Sequence, residues 1–383
     1  MLGSVAICGG AVEDWRVLVL RTTDGEVVSE VRASNVPRFE RRINEPGTWS
    51  AEVVLGYGGS AAEDLHEWVE TGRYSWAVLY GDHVVQAGPV RTWQVADEER
   101  KLTVSGAGMA AEFDRRIVRN PRGHTAVTHP SEDLILRNLS VQGLMVELVR
   151  ANLDQRGYQL PIVLPDPEPG PESITYHAFD LANVWDRVRD LSQREGGPEF
   201  EFRPRLVDGG RRLEWVLDIG HPRLGDEDAQ LVWDNGAAIG PLDVDVDGSR
   251  TPVSRVWVKG TGAGRDLLTG VATAERPGTP PVDVVDTSHV AERRQDVLDS
   301  YAHAVLAAGQ VPSGRWETTL RLGEPGAQLD EWSLGDAPLI SVTGHPWLPN
   351  GTYRRRITGC SDKSLTEISL ELDTVPPQGK ETS

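Results

Sequence analysis

Apolar side chains recur at every second position in several short segments near the start of the chain. In the stretch EPGTWSAEVVL, residues 45–55, one face carries Trp49, Ala51, Val53 and Leu55 and the other carries Ser50 and Glu52, shortly after the turn-forming sequence at residues 45–47. A period of two residues is typical of an antiparallel strand with one buried face. The stretch YSWAVLYGDHVVQ, residues 74–86, repeats the arrangement.

Turn sequences separate these segments at short intervals. Asp24-Gly25 and Gly81-Asp82 each lie between two apolar runs, which favours hairpins with two-residue turns. A third hairpin is predicted around the acidic tip at residues 97–100, and a short helix follows Gly108. Short strands joined in this way predict a small β-barrel over residues 1–118.

Helical spacing replaces the two-residue period in the middle of the chain. Ser140 is a predicted N-cap for a helix from Val141 to Leu153. Asp180 is the predicted cap of a second helix, whose apolar stripe runs from Leu181 to Leu191.

Proline and glycine divide this middle region further. Five prolines in residues 161–171 predict a stiff linker or an exposed loop, and Asp208-Gly209 predicts a hairpin after the second helix. Helices beside a small sheet indicate an α+β insertion over residues 119–241, which the sequence leaves open as one domain or two.

Strand patterns return from Leu242 onward. A long amphipathic helix interrupts them over residues 289–308, with Thr287 or Ser288 at its start. We therefore predict a second β-barrel domain over residues 242–374 and a polar tail over residues 375–383. The predicted class is a β-rich α+β fold of two small barrels with a smaller α+β insertion.

Composition narrows the range of functions. The chain has 383 residues and a net charge of −19, which argues against stable nucleic-acid binding, because such binding recruits Lys and Arg to phosphates. The charge fits either simple solubility or a surface past which DNA moves without adhering. No apolar run reaches the roughly 18 residues that span a bilayer, and the N-terminus lacks a basic leader. Cys8 and Cys360 suit neither a disulfide framework nor a zinc site, and whether they pair stays open.

Glycine-rich and acidic motifs give weak signals for cofactors. Gly260–Gly264 has the wrong spacing for a dinucleotide fingerprint, and Gly56–Ser60 lacks the lysine of a phosphate-binding loop. Asp243–Gly248 resembles the start of a calcium loop, but Ser254 stands where such a loop needs a bidentate glutamate. We expect no cofactor and no metal.

No catalytic motif stands out either. His124 and His129 lie in a loop without a metal-binding spacing, and no nucleophile elbow occurs. The carboxylate pairs Glu63-Asp64 and Glu98-Glu99 suit solvated tips, although an active pair assembled in space would not be visible in the sequence. We therefore predict no catalytic residue and no enzyme.

The chain has 12 tryptophans, and they allow two interpretations. Six lie in strand patterns, where aromatic residues usually face the core: Trp49, Trp76, Trp93, Trp215, Trp233 and Trp257. The alternative is a subunit interface or a platform for sugars, since tryptophan is enriched at both. Trp332 and Trp347, in loop-like sequences, are the candidates for such an exposed role.

Four stretches together resemble the hub proteins of phage tail tips, in particular minor tail proteins of long non-contractile tails. They are RFERRINEPGTWSAEVVL, GPVRTWQVADEERKLTVSGAGMAAEFDRRIV, DLANVWDRVRDLSQREGGPEFEFRP and VSRVWVKGTGAGRDLL, and they begin at residues 38, 88, 180 and 253. In the family these correspond to an early strand pair, a hairpin with a closing helix, part of the insertion domain, and a strand that returns to the barrel.

The resemblance implies a structural subunit of the virion tail. Two barrels related to tail-tube domains would pair within each subunit, and three subunits would form a hub ring that joins the tube to the tip and lines the DNA channel. The expected partners are further copies of the chain and neighbouring tube, tip, fibre and tape-measure proteins, with only transient passage of DNA and no insertion into a membrane. The alternatives are a carbohydrate- or receptor-binding tail protein and a cell-wall-degrading tail enzyme.

Overall fold

The computed structural model describes residues 15–56, 60–123, 126–247, 252–275, 277–310 and 313–375. The interpretations given above for Cys8, His124, most of the loop Gly56–Ser60 and the tail beyond Val375 concern residues outside these ranges.

Strands provide most of the regular structure in the described residues. They are β1 (Trp15–Arg21), β2 (Val27–Val31), β3 (Arg38–Arg42), β4 (Thr48–Val54), β5 (Tyr74–Tyr80), β6 (His83–Ala96), β7 (Lys101–Ala107), β8 (Leu134–Leu139), β9 (Ile162–Val163), β10 (Pro169–Tyr176), β11 (Phe200–Val207), β12 (Arg212–Ile219), β13 (Val232–Asp234), β14 (Asp243–Asp247), β15 (Arg255–Lys259), β16 (Thr269–Thr273), β17 (Asp283–Asp286), β18 (Ser313–Arg321), β19 (Leu339–Val342), β20 (Gly351–Asp362) and β21 (Glu367–Thr374).

Four α-helices and several short 3-10 helices accompany the strands. The α-helices are α1 (Ser60–Trp68), α2 (Val141–Leu153), α3 (Val184–Ser192) and α4 (Gln295–Ala308). The 3-10 helices are Met109–Arg115, Pro130–Glu132, Ala178–Asp180, Asp208–Gly210 and Gly264–Asp266, and the first is the short helix predicted after Gly108.

One sheet of 13 strands joins the two strand-rich ends of the chain. Its order is β14-β18-β21-β20-β3-β4-β7-β6-β5-β1-β2, with β19 beside β20 and β13 beside β19. The predicted β-rich α+β class is confirmed. Closure into two barrels is not found among the described strands, because β3 pairs with β20 from the other end of the chain and does not return to β2.

The hairpins predicted at the start of the chain are present. β1 pairs with β2 around Gly25, and β5 pairs with β6 around Gly81, both glycines with a positive φ. Gly47 also has a positive φ, of 68°, and a Cβ atom there would lie 2.4 Å from the carbonyl oxygen of Glu40. The turn before β4 therefore requires glycine, as the sequence Glu45-Pro46-Gly47 predicts.

A single hydrophobic core lies under both halves of the main sheet. Trp49 and Trp76 from the first half stack with ring centroids 6.1 Å apart, and Trp233 and Trp316 from the second half belong to the same core. The two strand-rich regions are therefore joined by packing as well as by backbone pairing.

β5 is buried on both faces, which its alternating pattern does not predict. Trp76 and Val78 face the shared core, whereas Ala77 and Leu79 are covered from the other side by Trp215 of β12. The indole Nε1 of Trp215 also donates a hydrogen bond of 3.2 Å to the carbonyl oxygen of Ala87. The insertion thus packs directly on the first half of the sheet.

The first predicted helix of the insertion is confirmed, and the cap of the second is wrong. Ser140 Oγ accepts a hydrogen bond of 3.0 Å from the backbone N–H of Gly143 at the start of α2. The second helix, α3, is capped by Asn183, whose Oδ1 accepts from the N–H of Asp186. Leu181 has a left-handed backbone, with φ 48°, so a helix cannot run from Asp180 through this residue.

The proline-rich stretch, predicted as a stiff linker or an exposed loop, contains one short strand and the start of another. β9 pairs in parallel with β12, and β10 begins at Pro169 and pairs with β8. Proline is tolerated there because β10 belongs to a two-stranded sheet, where one side of each strand needs no backbone donor.

A separate small unit lies between β14 and β18. The strands β15, β16 and β17 form their own sheet, and α4 packs on it through Val297, Leu298 and Tyr301. The resemblance implies that β15 returns to the main sheet, but this strand belongs to the separate small sheet. The strand that joins the main sheet here is β14. The predicted helix start at residue 289 is also wrong, because residues 288–291 form a turn and α4 begins at Gln295. The predicted domain boundaries at residues 118, 241 and 374 stay predictions.

Candidate assembly surfaces

Side chains that alternate with the core positions form a polar face on the main sheet. β18 and β21 place Glu317 opposite Glu371 and Thr319 opposite Ser369. The same face continues over β14, β20, β3, β4 and β7 through Asp243, Asp245, Ser361, Glu40, Thr48, Ser50, Glu52, Lys101, Thr103 and Ser105. These side chains are half-buried or exposed, and we call this surface the polar sheet face.

Three basic residues of the polar sheet face are held by carboxylates. Arg42 lies 2.7 Å from Glu40 and 2.6 Å from Glu371, and Arg315 lies 3.1 Å from Glu317 and 2.5 Å from Glu371. Lys101 lies 3.2 Å from Glu52. Because these three bases each have a carboxylate neighbour, the face presents mainly hydroxyl groups and negative charge, with Arg38, opposite Ser50, as an exposed base.

Two further ion pairs fasten the insertion to β3 and β20. We call the pairing of these two strands, which joins the two halves of the main sheet, the seam. Arg41 of β3 bonds Glu201 of β11 at 2.8 Å, with both side chains buried. Burial disfavours the charge of Arg41, but the charge and hydrogen bond of Glu201, with contributions from Cys360 and Asp218, together outweigh that cost and raise the arginine pKa above its usual value. Arg356 of β20 binds both carboxylate oxygens of Glu199 and the carbonyl oxygen of Leu224.

Cys360 lies beside the first of these pairs. It is buried, and burial raises the pKa of its thiol to about 12. A thiol held in this protonated form is a poor nucleophile, so Cys360 serves as a small core residue.

One end of the main sheet is an open edge. Among the described strands β14 pairs only with β18, so one side of its backbone has no strand partner. A cavity of about 910 Å³ lies along this strand, and its wall includes Leu242, Val244, Val246 and Trp347. Val246 is 58% exposed and Trp347 is 84% exposed.

The loop that carries Trp347 is braced from within. His345 Nδ1 accepts hydrogen bonds from the backbone N–H groups of Trp347 and Leu348, and its Nε2 bonds the carbonyl oxygen of Leu242 at 3.1 Å. Asn350 Oδ1 accepts from the N–H of Gly344 at 2.8 Å. The exposed indole is therefore held in place beside the start of β14.

The tryptophans divide between core and surface. Of the six assigned to strands, four are fully buried: Trp49, Trp76, Trp215 and Trp233. The core assignment is wrong for Trp93, which is 49% exposed because the outer part of β6 extends past the core, and Trp257 is only half-buried. Trp332, a candidate for exposure, is buried against Trp233 with ring centroids 6.5 Å apart.

The other candidate motifs are not brought together. Residues 243–247 of the calcium-like motif form the strand β14, so their backbone is extended instead of looped. Gly260–Gly264 ends in a 3-10 turn and no α-helix follows it directly. Glu98 and Glu99 are exposed at the hairpin tip between β6 and β7, and His129 caps the 3-10 helix Pro130–Glu132.

Sequence reasoning missed the buried charges at the seam. Arg41 shares the core-facing side of β3 with Phe39, and a charged residue at such a position in RFERR is the signal that could have found it. Its partner Glu201 lies 160 residues away, at a distance that no local pattern spans.

Neither a metal site nor a membrane-spanning helix is found among the described residues. No cluster of three or more His, Cys, Asp or Glu side chains is placed to hold a metal ion. No helix in the described ranges combines the length and hydropathy needed to cross a bilayer.

Structural comparison connects the fold to phage tail proteins. A tail protein from Neisseria meningitidis MC58 superposes with a TM-score of 0.56 at 15% identity, covering 94% of this chain and 96% of that one. The 43 kDa tail protein of prophage MuSo2 from Shewanella oneidensis gives a TM-score of 0.57 at 12% identity, covering 94% and 98%. No model of a protein family and no curated protein sequence matches the chain.

These two structures establish the fold. The chain shares the architecture of phage tail proteins over nearly its whole length, in agreement with the resemblance that its sequence carries.

Proposed function

We propose that this chain is a structural subunit of a phage tail tip or baseplate, and that three copies close a hub ring around a channel for DNA. The observation that carries the proposal is the polar sheet face, on a fold shared with two tail proteins. The ring would join the tail tube to the tip, and the protein would reside in the virion tail.

Charge is the reason for assigning the polar sheet face to the channel wall. Glu317, Glu371, Asp243 and Asp245 repel phosphate, and the bases Arg42 and Arg315 are already paired with carboxylates. Duplex DNA would therefore meet few free cations to which its phosphates could bind. A wall of this kind allows passage without adhesion, which a tail channel needs.

The proposed role is structural and not enzymatic. The buried pairs at Glu199 and Glu201 fasten the insertion to the main sheet, and an arginine binds the carboxylate in each. The expected partners are further copies of the chain and neighbouring tube, tip, fibre and tape-measure proteins.

Negative-stain electron microscopy of the purified protein and of tails that contain it tests the ring. A threefold ring with a central hole wide enough for duplex DNA is expected. A tail particle that contains the chain without such a ring would contradict the proposal.

A charge change on the polar sheet face tests the channel assignment. Thr319→Lys combined with Thr103→Lys adds two positive charges to the face, and we expect tails of normal shape whose infectivity per particle falls at least tenfold. The matched control, Asp97→Asn with Glu98→Gln at an exposed hairpin tip, changes the charge equally and should leave infectivity unchanged. Equal infectivity of both double variants would remove the polar sheet face from the channel.

A further inference from the structure

The open edge at β14 combines two features that single strands rarely share. Its backbone lacks a strand partner on one side among the described strands, and an exposed tryptophan lies beside it. Unprotected edges invite uncontrolled pairing, and proteins usually guard them with charge. Asp243 and Asp245 supply that charge here, on the side of the strand that belongs to the polar sheet face.

The two sides of β14 present different chemistry to an added strand. On one side Asp243 and Asp245 are exposed, and no ion pair holds either of them within the described ranges. On the other side Val244 and Val246 line the groove together with Trp347. A strand that extended the sheet would place its side chains alternately beside the aspartates and in the apolar groove.

We propose that β14 and the Trp347 loop bind an extended segment of another tail protein, in which basic and apolar side chains alternate. The basic side chains would pair with Asp243 and Asp245, and the apolar ones would pack on Val246 and Trp347. This inference rests on the proposed function, because the partner would be a neighbouring protein of the same tail. It adds the site and the chemistry of the segment that fills it.

Charge complementarity favours another protein over a second copy of this chain. The basic strand β3 (Arg38–Arg42) is paired on both sides, by β4 and β20. The strand at the other end of the main sheet, β2, carries Glu30 and no base. In a second copy of the chain, therefore, neither β3 nor β2 can supply alternating basic side chains to pair with Asp243 and Asp245.

The rigid loop strengthens the assignment. His345 fixes the backbone at Trp347 and Leu348 and bonds Leu242 just before β14. Little side-chain and loop freedom is then lost when a partner covers the indole, and a large aromatic side chain held in this way is typical of an interface anchor.

Site-specific photo-crosslinking in assembled tails tests the proposal. Trp347 is replaced by p-benzoylphenylalanine, which keeps a large aromatic group at the site, and the captured peptide is identified by mass spectrometry. The expected peptide comes from a different tail protein and carries alternating Lys or Arg and apolar residues. The same group at Trp93, which is exposed on β6, should not capture that peptide.

Charge reversal gives the second arm of the test. Asp243→Lys with Asp245→Lys should lower the crosslink yield at least tenfold in tails that still contain the chain, and Lys→Glu changes in the captured segment should restore it. If the double variant no longer enters tails, a synthetic peptide of the captured segment, titrated against the two purified proteins, gives the same comparison.

Three outcomes would overturn the inference: capture of a second copy of this chain, capture of a glycan, and no capture in tails that contain the chain. Absence of the chain from every tail particle is a separate result, and it would refute the proposed function itself.

Discussion

Arg42 of β3 reaches across β20 to Glu371 of β21, and the two charged groups lie 2.6 Å apart. Gly359 is the residue of β20 that lies between them, opposite Arg42 on one side and opposite Glu371 on the other. A Cβ atom at this position would lie 3.1 Å from Arg42 Cγ and 3.4 Å from Glu371 Oε2. The absence of a side chain at residue 359 therefore allows the ion pair to cross the seam between the two halves of the sheet.

Gly359→Val should weaken this seam. The branched side chain would overlap Arg42 and push it away from Glu371, so we expect a loss of about 1–3 kcal/mol in the free energy of unfolding, measured by urea titration. Gly351→Val is the matched control on the same strand, because the nearest atom to its Cβ is 3.9 Å away. If both variants unfolded at the same urea concentration, the close approach at Gly359 would carry no energetic weight.

Glu201→Ala should be more damaging than the loss of any surface ion pair. It leaves Arg41 buried without a counter-charge, which typically costs about 3–5 kcal/mol. Asp82→Ala removes an exposed partner of Arg16 and should cost less than about 1 kcal/mol.

A double variant separates the charge from the packing at this site. Arg41→Leu with Glu201→Leu removes both charges and should recover much of the stability lost in Glu201→Ala. A double variant as unstable as the single one would show that the pair itself, and not the stranded charge, supplies the stability.

Local features of the fold could be predicted from the sequence because their causes lie within a few residues. The turn at Asp24-Gly25 and the cap at Ser140 depend on neighbours along the chain, and both are confirmed. The cap predicted at Asp180 failed, although Asn183 carries the same kind of signal three residues later. The left-handed backbone of Leu181 interrupts any helix that starts at Asp180, so Asn183 caps the helix instead.

Strand pairing between distant parts of the chain could not be predicted from the sequence. Pairing of β3 with β20 joins residues more than 300 positions apart and makes one sheet of the two strand-rich ends of the chain. The open edge at β14 follows from the same topology. Its aspartates were visible in DVDVDG, but only the strand order shows that they lie at the end of a sheet.

The two classes of tryptophan should respond differently to truncation. Trp76 is fully buried, stacks on Trp49, and donates a hydrogen bond of 3.1 Å from Nε1 to the carbonyl oxygen of Trp68. Trp76→Ala should therefore cost about 3–5 kcal/mol, because it leaves a cavity and an unpaired carbonyl group. Trp347→Ala should change the free energy of unfolding by less than about 0.5 kcal/mol, since the side chain is almost free of contacts. A large loss in Trp347→Ala would mean that its loop supports the fold as well as a partner.

His83 should make the folded state sensitive to acid. Burial, with a further contribution from the charge of Arg41, lowers the pKa of this imidazole from 6.5 to about 4. In the unfolded chain the imidazole takes up a proton near pH 6.5, whereas in the folded chain it stays neutral until about pH 4. Its contribution to stability is therefore complete above pH 6.5 and is lost as the pH falls toward 4.

Because His83→Gln cannot titrate, the free energy of unfolding of the unmodified chain should fall more steeply than that of the variant between about pH 7 and about pH 4.5. Urea titrations across this range measure the difference, and an NMR titration of the His83 ring reads its pKa directly. Parallel stability curves, or a ring that titrates near pH 6.5 in the folded protein, would contradict the prediction.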